Sequence, residues 1–253
     1  MALAFDNRQH DRSSEQLPDS IPLLRSLVRT VDSLAGDFDV VEQCQQLLET
    51  CTEITGATDA GLLLADQRGE LQVLASTNES LRLLELLQRD GPSRDAYRNK
   101  TAASVPDLCA ATDLWPGFAP AAAAAGYRCA YAVPLRLHRD SIGALTILAA
   151  SATALGQQDL RIAQILADIA AVGIAHHVLL AQDATIQAQL PTALNARVTI
   201  EQAKGVLAER GDLDMDQAFQ LMREHARATG RRLTDIAGEI VEGRIDPGAE
   251  AAD

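Results

Sequence analysis

The sequence predicts an α+β protein: an antiparallel-sheet domain, then a long connector helix, then an all-α domain of three helices. Three observations predict it. Between residues 59 and 149, short apolar runs pair across turns into two hairpins, with helical stretches between them. From Gln157 the apolar spacing becomes helical and stays so for the longest stretch of the chain. From Leu194 to Glu242 three short amphipathic stripes follow one another. Composition agrees with a folded chain, since 47% of the 253 residues are hydrophobic and 23% charged. Aromatic residues are only 3%, so the cores must be built from Leu, Ile, Val and Ala.

Residues 1–20 are polar and are expected to form a mobile tail. They contain no apolar h-region, so a signal peptide is not expected. Ile21 to Leu34 reads as a helix, with Leu24, Leu27, Val28 and Val31 on one side and Pro22 in its first turn. Asp39 is placed to cap a second helix running to Thr55, whose inner face is Val40, Cys44, Leu47, Leu48 and Cys51. Cys44 and Cys51 are therefore core residues rather than a redox pair. Asp59 to Ala65 and Leu71 to Thr77 form the first hairpin, and Ser80 to Arg89 reads as helical. Gly91-Pro92 stops that helix, a short one follows around Arg94 to Arg98, and Ala103 to Pro106 is a third strand. Ala119 to Ala125 is an alanine-rich helix closed by Gly126. Cys129 to Leu137 and Ser141 to Ala149 form the second hairpin.

The helix from Gln157 carries Leu160, Ala163, Leu166, Ile169, Ala170, Val172, Gly173 and Leu180, an apolar stripe on two sides. One side can close the sheet domain while the other pairs with a second copy of the chain. Pro191 removes a backbone donor, which predicts a break or kink and a joint between Ala181 and Thr192. In the last domain Ile200, Ala203 and Leu207 share one face, and Gly211 is expected to end that helix in a left-handed conformation. Asp214 with Gln217 resembles a capping box. The helix it opens sets Met215, Phe219, Met222 and Ala226 on one side, and Thr229-Gly230 ends it. Leu233, Ile236, Ala237, Ile240 and Val241 give the third stripe, which stops near Gly243. The three stripes are expected to close one small core.

Charge narrows the function. The net charge of −13 disfavours non-specific attraction to nucleic acid. It is unevenly spread, with eight Lys+Arg and nine Asp+Glu in residues 192–245 against 14 and 23 in residues 1–191. No phosphate loop, dinucleotide fingerprint, nucleophile constellation or zinc-type spacing is visible, so an enzyme is not expected. His176 and His177 are adjacent on a helix and point apart, which makes them poor co-ligands. The four cysteines form no CxxC pair and no run is long enough to span a bilayer, so a cytoplasmic protein with reduced thiols is expected.

The run Arg197-Val-Thr-Ile-Glu-Gln-Ala-Lys-Gly-Val-Leu207, then Ala218-Phe219, then Leu233-Thr-Asp-Ile-Ala237, resembles the ANTAR domain, the RNA-binding module of transcription antitermination regulators. Ahead of it come Asp90-Gly-Pro92 with Ala96, Val105-Pro-Asp-Leu108, Trp115-Pro-Gly-Phe118, the run from Gly126 to Leu135, and Ile142-Gly-Ala-Leu-Thr-Ile147. Their order resembles a GAF sensory domain. Many members carry Cys after the Gly-Pro, where this chain has Ser93, which argues against cysteine-based sensing there. The resemblance implies a tail over 1–20, a GAF domain with its N-terminal helix over 21–175, a connector over 156–191 that overlaps its end, an ANTAR domain over 192–245, and a second tail over 246–253.

What the resemblance implies of function is binding to paired hairpins of a leader RNA, which keeps a terminator from forming. Lys204 leads the expected RNA-binding residues because it lies in the closest-matching run, followed by Arg197, Arg223, Arg227, Arg231 and Arg232. Glu201, Glu209 and Glu224 could instead pair with these cations on a solvated surface. Tyr97, Trp115, Phe118, Tyr127 and Tyr131 either line a GAF ligand pocket or fill the core. No cofactor is required by the sequence, although a GAF pocket allows a small-molecule ligand. The expected partners are the hairpin RNA, a second copy of the chain joined through the connector helix, and an upstream signalling protein. Two other readings stay open: a regulator of duplex DNA, since three short helices also suit a helix-turn-helix, and a protein-binding scaffold.

Overall fold

The computed structural model describes residues 39–78, 87–151, 156–180 and 186–250. The expected tail at 1–20, the helix Ile21 to Leu34, most of the helix Ser80 to Arg89 and the last three residues of the expected tail at 246–253 lie outside the described residues, while Pro247–Glu250 of that tail is a short helix. The first element among the described residues is α1 (Val40–Thr55), capped by Asp39, whose carboxylate accepts from the Val41 N–H at 2.8 Å. A hairpin of β1 (Asp59–Ala65) and β2 (Leu71–Ser76) follows. Next come α2 (Pro92–Asn99), β3 (Ala103–Val105), a 3-10 turn at Leu108–Ala110, and α3 (Phe118–Ala124). The turn had no sequence counterpart, and the Asp107 side chain caps it. A second hairpin, β4 (Cys129–Leu137) and β5 (Asp140–Ala149), completes an antiparallel sheet of order β2-β1-β5-β4-β3.

Alternation along these strands sorts the core into two layers. Leu62, Leu64, Leu74, Val133, Leu135, Leu145 and Ile147 face α1 and the long helix α4 (Gln157–Leu180). Leu63, Leu71, Ala130 and Leu148 face the other way, onto Leu108, Trp115 and Phe118. The centre of the sheet needs a residue without a side chain, because a Cβ at Gly143 would stand 2.0 Å from the Leu63 carbonyl oxygen. Gly91, at φ 107°, admits the close approach of Phe118, where a Cβ would meet the ring at 2.9 Å. One turn on, the Ser93 and Thr146 hydroxyls share a buried hydrogen bond of 2.6 Å that ties α2 to β5.

The C-terminal helices are α5 (Ile186–Gly211), α6 (Met215–Thr229) and α7 (Leu233–Val241), with a last short turn α8 (Pro247–Glu250). The capping box on α6 forms in both directions, and Gly230 ends that helix at φ 64°. Four expectations are corrected here. Helix α5 runs through Pro191 without a break, so Thr192 starts no new helix. Only five residues of α5 precede Pro191, so the proline forfeits one bond in the opening turns instead of dividing a long ladder. The left-handed residue after α5 is Asp212, at φ 49°, and not Gly211. Val241, placed on the buried stripe of the last helix, is 40% exposed.

The fourth correction concerns the core itself. The stripes of α5, α6 and α7 do not close a separate core. Ile200, Leu207, Phe219, Met222, Leu233 and Ile236 are continuous with the buried layer of α1, β1 and β2. Three helices of this length bury too little among themselves, and the sensor's first helix supplies the missing wall.

Candidate nucleic-acid interface

The buried face of α5 is unusual in composition. Ala193, Arg197, Ile200, Lys204 and Leu207 fall at three- and four-residue steps, so two cations lie in an otherwise apolar stripe. Lys204 is fully buried, with its amine 3.2 Å from Glu201 Oε1 and 5.3 Å from the centroid of the Phe219 ring. Arg197 is 6% exposed and pairs with the same Glu201 at 2.5 Å. The Phe219 ring also receives Arg223, whose guanidinium carbon lies 5.6 Å from its centroid. A ring facing two cations is favourable only where carboxylates balance the charge, and here Glu201 is one of them.

The other balancing carboxylates come from the sensor domain. Arg223 Nε donates to Glu42 Oε2 at 2.8 Å, and its Nη1 donates to Glu49 Oε1 at 2.8 Å. Arg227 Nη2 donates to Glu42 Oε1 at 2.7 Å. Glu42 and Glu49 lie seven residues apart on α1, hence on one face of it. Burial works against the charge of Arg223, but the contacts to Glu49 and Glu42 outweigh it and raise its pKa further. A third carboxylate from α1 completes the junction. Asp39 Oδ2 accepts from the Thr234 N–H at 2.8 Å, so the residue that caps α1 also caps α7, whose own N-cap residue Arg232 contributes no side-chain cap.

The six expected RNA-binding residues thus separate. Arg197, Lys204 and Arg223 are buried. Arg227 has a side chain 56% exposed but bound to Glu42, and Arg231 makes a two-pronged pair with Glu239 at 2.7 and 2.8 Å. Arg232 is exposed at the start of α7. Of the three expected counter-ions, Glu201 does pair with two of the cations. Arg223 and Arg227 pair instead with Glu42 and Glu49, and Arg231 with Glu239, which helical spacing within the bundle had not suggested. The signal that could have found the first two is the acidic line Glu42, Glu49 and Glu53 along one side of α1.

The expected aromatic pocket is divided as well. Trp115, Phe118 and Tyr127 share one cluster, with Trp115 edge-on to Phe118 at 6.1 Å and its indole N–H donating to Asp95 at 2.9 Å. Tyr131 lies on the opposite face of the sheet with Cys129, Ala149 and Leu160, and Tyr97 is half-buried. A small cavity of about 10 Å³, room for one water molecule, is lined instead by Asp59, Ser76, Asn78 and Thr146. Beside it the Tyr127 hydroxyl donates to Asp59 and accepts from the Asn78 amide at 3.0 Å. Burial, followed by the Asp59 carboxylate, raises the Tyr127 pKa. Burial pushes the thiols of Cys44 and Cys51 up to about 12, which leaves them as inert core groups. Among the described residues no group of three or more His, Cys, Asp or Glu side chains could hold a metal ion. No helix among them is long and apolar enough to cross a membrane.

Comparison with known proteins follows this division. The family profile described as a GAF domain matches residues 39–175, and the profile described as an ANTAR domain matches residues 188–241. The fold is similar to the GAF domain of a phosphoenolpyruvate-protein phosphotransferase from Coxiella burnetii, with a TM-score of 0.53 at 15% identity over 64% of this chain and 98% of that one. The corresponding Acinetobacter domain gives a TM-score of 0.49 at 13% identity over 64% and 98% of the two chains. No curated protein matches the chain.

Proposed function

Because this chain belongs to the GAF domain family and carries an ANTAR domain behind it, we propose that it is a signal-responsive transcription antitermination regulator. The sensor receives a small molecule or a signalling partner. Two copies of the α5–α7 bundle then bind paired hairpins in a leader transcript and keep a terminator hairpin from forming. The protein acts by favouring one RNA fold over another, without covalent chemistry, and works in the cytoplasm.

The observation that carries this reading is the ANTAR match over 188–241, which falls on the bundle holding Arg227, Arg231 and Arg232 at its surface. These three are the proposed phosphate contacts. Lys204 and Arg197 are proposed to contribute from beneath, since their shared partner Glu201 sets α5 under the surface arginines, and Arg223 joins the phosphate contacts when its own carboxylate partners release it. Pairing of two chains is supported by Ile165 and Val172, which are 46% and 55% exposed and one heptad apart on α4.

The test is a titration of the full chain against a paired-hairpin RNA and a duplex DNA of equal length, each over a range of salt. Tighter binding to the hairpin, weakening as salt rises, is the expected result. Tighter binding to the duplex would establish the DNA-regulator reading instead, and no binding to either would favour a protein-binding scaffold.

A further inference from the structure

We propose that the acidic face of α1 is an intramolecular latch: Glu42, Glu49 and Asp39 hold the output bundle against the sensor, and the two glutamates occupy arginines that RNA phosphates would need. This rests on the RNA-binding reading above and names how that site is regulated.

Three observations converge on it. First, the Arg223 side chain is 3% exposed and its guanidinium is held by two carboxylates from another domain, so no phosphate reaches it in this arrangement. Second, Glu42 accepts from Arg223 and Arg227 together, and these lie one turn apart on α6. One carboxylate therefore bridges a pair of cations spaced to follow a phosphate backbone. Third, Asp39 caps α7 across the domain boundary, which fixes the orientation of the turn carrying Arg231 and Arg232.

The contact has the chemistry of a competitor. Carboxylates and phosphodiesters present the same acceptor oxygens to a guanidinium, so each α1 carboxylate released is an arginine made available. It is also poised for exchange. The Glu49 side chain is 41% exposed and that of Arg227 56%, so water already reaches the rim of the junction. Because α1 packs on β1, β2 and α4, a shift of the sheet domain moves the latch directly. Binding of RNA and closure of the latch are then mutually exclusive, and by linkage whatever opens the latch raises RNA affinity.

The test compares the wild-type full chain with Glu42→Gln/Glu49→Gln, which removes charge at nearly constant volume. A charge control, Asp113→Asn/Asp140→Asn, makes the same change in net charge without touching a carboxylate that holds an output arginine. Asp39→Asn tests the third contact, because one amide oxygen still serves Val41 while the amide nitrogen cannot accept from Thr234. Two readouts are taken: affinity for the paired-hairpin RNA, and amide hydrogen exchange over residues 215–241. The expected result is RNA binding tighter by on the order of tenfold in the Glu42/Glu49 variant, with faster exchange over the bundle and little change in the control. Asp39→Asn is expected to move in the same direction by a smaller factor. RNA affinity equal in wild type and variant, with wild type binding, overturns the latch and leaves the RNA reading intact. Faster exchange with RNA binding absent from every chain shows that the contacts clasp the domains and overturns both the RNA reading and the latch's role in it.

Discussion

Lys204 and Phe219 meet as a fully buried cation and the face of a ring, 5.3 Å apart, at the centre of the junction between two domains. This lysine lies beneath the surface that the sequence assigned to it. Its four-carbon stem fills apolar volume while its ammonium rests on Glu201 and the ring. Lys204→Ala should therefore act first on stability, lowering it by about 2–3 kcal/mol through the cavity and the carboxylate left behind. Lys204→Met, which keeps the volume, should cost less than about 1.5 kcal/mol. Denaturant titration of both variants checks the order. Equal losses would mean that the charge, not the volume, decides.

The hydroxyls of Ser93 and Thr146 are fully buried and pair with each other. Either Ser93→Ala or Thr146→Val leaves one buried hydroxyl without its mate and should cost about 1–3 kcal/mol. The double variant should cost less than the sum of the two, because neither polar group then remains. A double-mutant cycle on unfolding free energies reads the coupling directly.

At Gly143 no side chain fits. A methyl group would be driven into the Leu63 carbonyl between two central strands, and the backbone there cannot yield cheaply. Gly143→Ala should destabilise by about 3 kcal/mol or more, seen as a fall in the thermal midpoint and in soluble yield.

Alkaline pH should weaken the fold. Cys44 and Cys51 have an ordinary value of 9.0 and are pushed to about 12 in the folded chain. The folded state holds these protons longer than the unfolded chain does. Their contribution is thus complete below pH 9 and is lost as pH rises towards 12. Cys51→Ala should flatten the decline between those values in urea titrations. A thiol reagent at neutral pH should modify Cys109, the exposed cysteine, much faster than the buried Cys44 and Cys51.

Local signals carried most of the fold. Asp39 and the Asp214–Gln217 box were readable as caps because the residues they serve lie two or three positions away. The strands were readable because burial on both faces writes them as short apolar runs between turns. Pro191 misled because a proline's cost depends on where the helix begins, and this helix begins at Ile186, five residues before the proline and inside the expected joint. The candidate site was legible as a set of cations but not as an arrangement. Arg223 meets Glu42 across 181 residues of chain, and no periodicity within either helix encodes that meeting. The aromatic residues divided for a simpler reason: Tyr131 lies in a strand, where its position in the alternation, not its nearness in sequence to Tyr127, decides which layer it enters.

The unbroken course of α5 makes it a drive shaft. Its 26 residues extend about 39 Å and join the end of the connector to the innermost wall of the output bundle without an intervening loop. Torque applied at Ile186 arrives at Lys204 with no slack to absorb it. The phase of that shaft then matters more than its length. One residue inserted ahead of Ala193 turns everything downstream by about 100°, and seven residues bring the face nearly back to where it started.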